Sequence, residues 1–192
     1  MARYLSQQFE YRDRFYHLEI GVDRIAALRN DLKIEIAARS VSINGQGAEA
    51  INVTLTLDLE AQQIVIEVEG EELGRISLDA RGVAEADDMD DIGDTVWGVL
   101  QAHLLEGDGP ATGFEQIMEQ IPVGDPFLGC LIKGAISASV GQAIRCYQKM
   151  TPAEEGVRQK LRFIAQCMGK NVWGIFGRAT ARSLKCMARG GL

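Results

Sequence analysis

The sequence predicts an α+β protein: a four-stranded antiparallel β-meander near residues 32–79, flanked by helices, with an α-helical C-terminal third. Three observations predict it. Between Leu32 and Leu78 apolar residues alternate with polar ones and short turn signals interrupt them, the period of half-buried strands. From Phe127 to Ile144 apolar and small residues run with Lys133 as the single charge, the pattern of a helix covered on all sides. Beyond Thr151 apolar residues recur at helical spacing among Lys and Arg.

Taken in order, residues 4–29 open the chain. Tyr4, Tyr11, Phe15, Leu18, Val22, Ile25 and Leu32 follow steps of three, four or seven and read as one helical stripe. The competing reading is a strand at Phe15–Ile20, a turn at Gly21 and a short helix over 23–28. From Leu32 the period becomes two. Leu32–Ile36 and Val41–Ile43 alternate up to Asn44-Gly45, a dipeptide that tolerates positive φ. Ile51, Val53, Leu55 and Leu57 share one face of the next strand, and the strands Gln63–Glu69 and Leu73–Leu78 complete the meander. Its apolar face needs a cover, which a helix supplies.

The acidic run Glu85–Asp91 leads into Ile92, Val96, Val99, Leu100 and Leu104, a helix near 88–106 whose carboxylates suit its N-terminal dipole. The glycine-rich stretch Gly107–Gly113 is the best linker and divides the chain into an α+β subdomain over 1–107 and a helical subdomain over 108–192. Phe114–Ile121 reads as a short helix stopped by Pro122. Asp125 caps the next helix, near 126–149, with Pro126 at its first position. Lys133, Gln142 and Arg145 fall on no common face of it, and the small residues Gly134, Ala138 and Gly141 would admit a close neighbour. Thr151, Pro152 and Glu154 form a capping box for a helix striped by Val157, Leu161, Ile164 and Met168. Gly169-Lys170-Asn171 breaks or bends it, so 152–189 is one helix or two. Beyond, Trp173, Phe176, Leu184 and Met187 fall within an arc of roughly 80° at 100° per residue and read as the packing stripe. Arg178, Arg182, Lys185 and Arg189 occupy the opposite side and would meet an anionic partner or an acidic surface.

Charge is segregated along the chain. The net charge is −7 over 192 residues, but residues 127–192 carry eleven Lys and Arg against two acids, while 80–126 carry one Arg against eleven acids. An acidic body with a basic end speaks of partners rather than fold. The basic end has an internal or homotypic partner at high effective concentration. At 46% hydrophobic and 24% charged residues, the composition excludes disorder over the whole chain.

No catalytic or metal-binding constellation is legible. The two histidines, His17 and His103, belong to no triad or ligand spacing. Asp87-Asp88-Met89-Asp90-Asp91 has the DDxxD spacing but lacks the second acidic motif, and it fails as a calcium loop at Ile92 and Val99. Gly107–Gly113 lacks the Gly-Lys-Ser/Thr ending of a phosphate loop. Neither cofactor nor metal is expected. Cys130, Cys146, Cys167 and Cys186 match no zinc or redox signature. With no signal-peptide layout at Met1–Glu10, they are expected to be reduced thiols in a cytoplasmic protein.

The expectation is therefore a non-enzymatic interaction or assembly protein, an oligomer or complex subunit that self-associates or binds a protein partner. Two alternatives stand beside it. An anionic membrane could receive the helical hairpin 126–149 and 157–187, although Lys133 interrupts the first run. Nucleic acid could meet the basic tail, although the acidic whole, with a pI near 4.9, repels it at long range.

Overall fold

In the computed structural model, the described residues are 3–23, 31–78, 117, 119–150 and 156–188. Six strands form one antiparallel sheet in sequence order: β1 Arg3–Tyr11, β2 Arg14–Val22, β3 Leu32–Ser42, β4 Glu49–Asp58, β5 Gln63–Val68 and β6 Glu71–Ser77. Three longer helices follow: α1 Pro126–Gln148, α2 Val157–Lys170 and α3 Val172–Ala188. The meander is as expected in kind and larger in size, with six strands instead of four. The two additional strands stand where the helical stripe over 4–29 was one reading; the competing strand at Phe15–Ile20 falls within β2, and residues 24–29 lie outside the described residues. Tyr16, Leu18, Ile20 and Val22 are buried at every second position of β2, and aromatic and β-branched residues favour this pleated surface. The turn at Arg12, whose φ is 54°, pairs Tyr11 with Arg14 and folds β1 back on β2.

Register carries the apolar set onto one face. Leu32, Ile34, Ile36 and Ala38 of β3 stand opposite Leu57, Leu55, Val53 and Ile51 of β4, all buried. A slip by one residue would turn each of them to the other side. The expected Asn44-Gly45 turn closes β3 on β4, with positive φ at Gly45 and Gly47. Between β5 and β6, Glu69 and Gly70 have φ of 49° and 85°, the pair of positive values that a two-residue hairpin uses to match strand twist. Gly74 of β6 makes room for Ile117: a Cβ there would lie 2.4 Å from the Ile117 Cδ1.

α1 lies over this apolar face, chiefly against β3 and also against β2 and β4. Asp125 is its N-cap, accepting from the N–H groups of Phe127 at 2.9 Å and Leu128 at 3.3 Å, with Pro126 following. Buried side chains of the sheet and of all three helices belong to one cluster. The expected linker at 107–113, the helix near 88–106 and the capping box at Thr151–Glu154 lie outside the described residues. Asn171 separates α2 from α3, and its side chain donates to the Cys167 carbonyl at 2.8 Å.

The cysteines correct an expectation. They are paired, Cys130 with Cys186 and Cys146 with Cys167, at Cα separations of 5.7 and 5.8 Å. Each pair joins α1 to one of the two following helices. Spacing along the chain could not show this, because helix packing brings together positions 56 and 21 residues apart.

Candidate functional site

Polar chemistry concentrates where α1 begins. A cleft of about 620 Å³ is lined by Tyr11, Arg14, Tyr16, Glu49, Asp125 and Phe127, among others. Asp125, its side chain 9% exposed, lies 3.0 Å from Arg14 Nε. The Tyr16 hydroxyl donates to its Oδ2 at 2.9 Å. Burial and the neighbouring carboxylate push the Tyr16 phenol above its ordinary pKa. Glu49 reaches across from β4 and accepts from the N–H groups of Gly124 at 2.7 Å and Asp125 at 2.9 Å. Arg14 also donates to the Ser40 hydroxyl and the Gly47 carbonyl. Phe127 stacks on Tyr11 and meets Tyr16 edge-on, with ring centroids 4.5 Å apart in both pairs. These groups spend their hydrogen-bonding capacity on each other and on the start of α1, so the cluster fastens the helix to the strand ends. The cap was legible as Asp125-Pro126. The partners Arg14, Tyr16 and Glu49 were not, because they are drawn from strands more than 70 residues upstream.

The predicted packing residues divide. Phe176 is buried and Met187 packs against the core. Ala138 and Gly141 are buried in α1. Gly134 sits at a close crossing: a Cβ there would lie 2.7 Å from the Ala179 carbonyl and 3.0 Å from Ser183 Oγ. Trp173 and Leu184, by contrast, are 67% and 54% exposed and do not pack inward. The buried line of α3 is Val172, Ile175, Phe176, Ala179 and Ser183, turned from the expected stripe by roughly a quarter turn at 100° per residue. The cause is the small-residue contact with α1. Ser183 donates to the carbonyls of Ala179 and Cys130, and Cys186 is tied to Cys130.

The same rotation moves the predicted cations. Arg178 and Arg182 are half-buried against α1, where Arg182 donates to the Ser137 hydroxyl. Lys185 is exposed, and Arg189 lies outside the described residues. The outward line of α3 is instead Trp173, Gly177, Ala181, Leu184 and Ala188, an apolar and small-residue face. Arg158, Lys160, Arg162 and Lys170 of the adjoining α2 are exposed as well.

Arg178 has a further setting. Its Nη2 donates to Gln142 Oε1 at 2.6 Å. Gln142 is 3% exposed, and its Nε2 lies 3.5 Å from Cys146 Sγ of the second disulfide. Arg145, three residues after Gln142, is half-buried, and its Nη2 is buried without a hydrogen-bond partner among the described residues. Two of the three polar residues expected to share no common face, Gln142 and Arg145, lie near Arg178 of α3.

His17 stands 3.6 Å from Glu19 on the sheet face away from α1 and is opposite Arg39 of β3. His103, the acidic run at 87–91 and the glycine-rich stretch at 107–113 lie outside the described residues. Comparison of the chain with protein-family models, with curated proteins and with solved structures finds no match.

Proposed function

We propose that the chain is an interaction protein that assembles, with itself or with another protein, through the outward face of its C-terminal helices. One observation carries the reading. Among the described residues Trp173 and Leu184 are the two most exposed of the large hydrophobic side chains, and they are eleven residues apart, three turns along one line of α3. Gly177 and Ala181 between them leave the backbone open to close approach. An exposed apolar line on a helix fixed by a disulfide is the kind of surface that partners cover. The acidic body, with seven more acids than bases over residues 31–79, and the exposed Lys160, Arg162 and Lys170 of α2 support a role for charge in choosing the partner.

The test is the mass in solution across protein concentration. Ala181→Arg and Trp173→Ala should each weaken assembly, and Lys185→Glu should weaken it more at low salt than at high salt. A wild-type chain that sediments as a monomer throughout, and retains no protein on co-purification, would refute the reading.

A second reading, contact with an anionic membrane surface, is favoured by the exposed Trp173 following three residues after the exposed Lys170. It differs from the hairpin insertion expected from sequence. Of the described helices α1 is the one long and apolar enough to span a bilayer, and 94% of its apolar window is buried within the fold. Co-sedimentation with vesicles containing phosphatidylglycerol tests this reading; equal recovery of wild type and Trp173→Ala would remove it.

The disulfides also bear on location. The cytoplasmic expectation took the four cysteines to be free thiols. Two closed bridges support residence in an oxidising compartment instead, which labelling of free thiols in freshly isolated protein would test.

A further inference from the structure

We propose that Arg145 and Arg178, together with Gln142, form a binding site for a phosphate-type oxyanion, presented as free phosphate or as the headgroup of an anionic lipid. The proposal does not rest on the outward face of α3. It begins with a charge imbalance. Two guanidinium groups sit half-buried at the α1–α3 contact, and among the described residues neither has a carboxylate partner. Arg14 has Asp125 and Arg75 has Glu72. Arg178 has a neutral amide, and Arg145 has a buried Nη2 with no acceptor.

Burial holds both guanidinium groups below their ordinary pKa, and the charge of Arg145 lowers Arg178 further. Like charges withdrawn from water repel more strongly, and an unpaired buried donor carries its full desolvation cost. The carbonyl end of α1 offsets only part of this, since a helix C-terminus amounts to about half a negative charge. Gln142 cannot offset the rest, because its amide carries no charge to balance theirs.

What the pair lacks is an acceptor-rich dianion. A phosphate offers several oxygens to planar donor forks and balances two positive charges, where a single carboxylate balances one. Both arginines are partly exposed, so an anion can enter from solvent. The amide of Gln142 is oriented by its contact with Cys146 Sγ, which links the geometry of the site to the closed second disulfide.

The experiment uses the full chain with both disulfides closed. Thermal unfolding and titration calorimetry are run in sodium phosphate against sodium chloride of the same ionic strength, and flotation is run on phosphatidylcholine vesicles with and without phosphatidate. The expected result is a rise in Tm and a measurable heat with phosphate beyond the chloride control. Arg145→Gln and Arg178→Gln should each lose about tenfold or more in phosphate affinity, as removal of charge-assisted hydrogen bonds implies. Lys33→Gln, at an exposed cation on β3, should lose none. Flotation that depends on phosphatidate and on Arg178 identifies the headgroup as the source. A phosphate response without flotation identifies the free anion. The proposal is overturned if the wild type shows neither response. It is equally overturned if both variants keep the wild-type response. Should a variant fail to fold, the wild-type comparison with chloride still decides.

Discussion

Replacing Asp125 with Ala removes three supports at once, and the structure allows their sizes to be set out. The carboxylate caps α1 through two N–H groups; losing such a cap costs about 1 kcal/mol. It accepts from the buried Tyr16 hydroxyl; a hydrogen bond to a charged group contributes about 1.5–3 kcal/mol. It also pairs with Arg14, whose side chain is 29% exposed; solvent reaches that contact, and about 0.5 kcal/mol is a fair share for it. The supports overlap, so about 3–4 kcal/mol is expected for Asp125→Ala. The assay is equilibrium denaturation with the disulfides closed, repeated for Tyr16→Phe and for the double variant. Because Tyr16 and Asp125 touch, the double variant should cost less than the two single variants together, by about 1 kcal/mol or more. A loss below about 1 kcal/mol for Asp125→Ala, or strict additivity with Tyr16→Phe, would show that this cluster does not hold α1 to the sheet.

Further expectations follow from the same contacts. The phenol of Tyr16 keeps its proton more tightly in the folded chain than in the unfolded one, whose tyrosines titrate near ~10. Its contribution is therefore complete below that pH and falls as pH rises above it, so the alkaline loss of stability should be shallower in Tyr16→Phe. Gly134→Ala pushes a methyl group against the Ala179 backbone and should cost about 1–3 kcal/mol, whereas Gly177→Ala meets nothing within 4 Å and should gain up to about 1 kcal/mol; equal melting temperatures for the two would contradict the α1–α3 crossing. Replacing Cys146 and Cys167 together by Ser should cost about 3 kcal/mol, and replacing Cys130 and Cys186 about 4 kcal/mol, as the loop lengths imply. Insensitivity of the wild-type melting curve to dithiothreitol would count against both bridges.

Strands β3 to β6 were legible because apolar and polar residues alternate through most of each and turns with a physical cause separate them, Asn44-Gly45 above all. β1 was not, and β2 only as the competing strand reading at Phe15–Ile20. Phe15 and Tyr16 are adjacent, so an apolar residue appears on each face, and the steps from Tyr11 to Phe15, Leu18 and Val22 imitate a helix. Period alone cannot separate these readings; pairing with β3 decides, since Tyr16, Leu18 and Ile20 align with Ser40, Ala38 and Ile36. Asp125-Pro126 was legible because a cap is local chemistry. The orientation of α3 was not. Its inward line includes Ala179 and Ser183, which any measure of hydrophobicity weighs lightly, while Trp173 and Leu184 weigh heavily and face out. Contact between small residues set the rotation, and with it turned Arg178 and Arg182 from surface charges into neighbours of α1. The arginine pair itself had one visible sign, a Gln142 and an Arg145 in an otherwise apolar helix.

The order of the sheet has a consequence for how the chain acquires its shape. Every strand pairs with the one that precedes it, so the sheet can be laid down hairpin by hairpin as synthesis proceeds, each step closing a short loop at small entropic cost. Among the described elements, the helix that lies over the resulting apolar face, α1, is encoded some 50 residues after β6 ends. The bond from Tyr16 to Asp125 spans 109 residues, so this contact is a long-range one that the hairpins can precede.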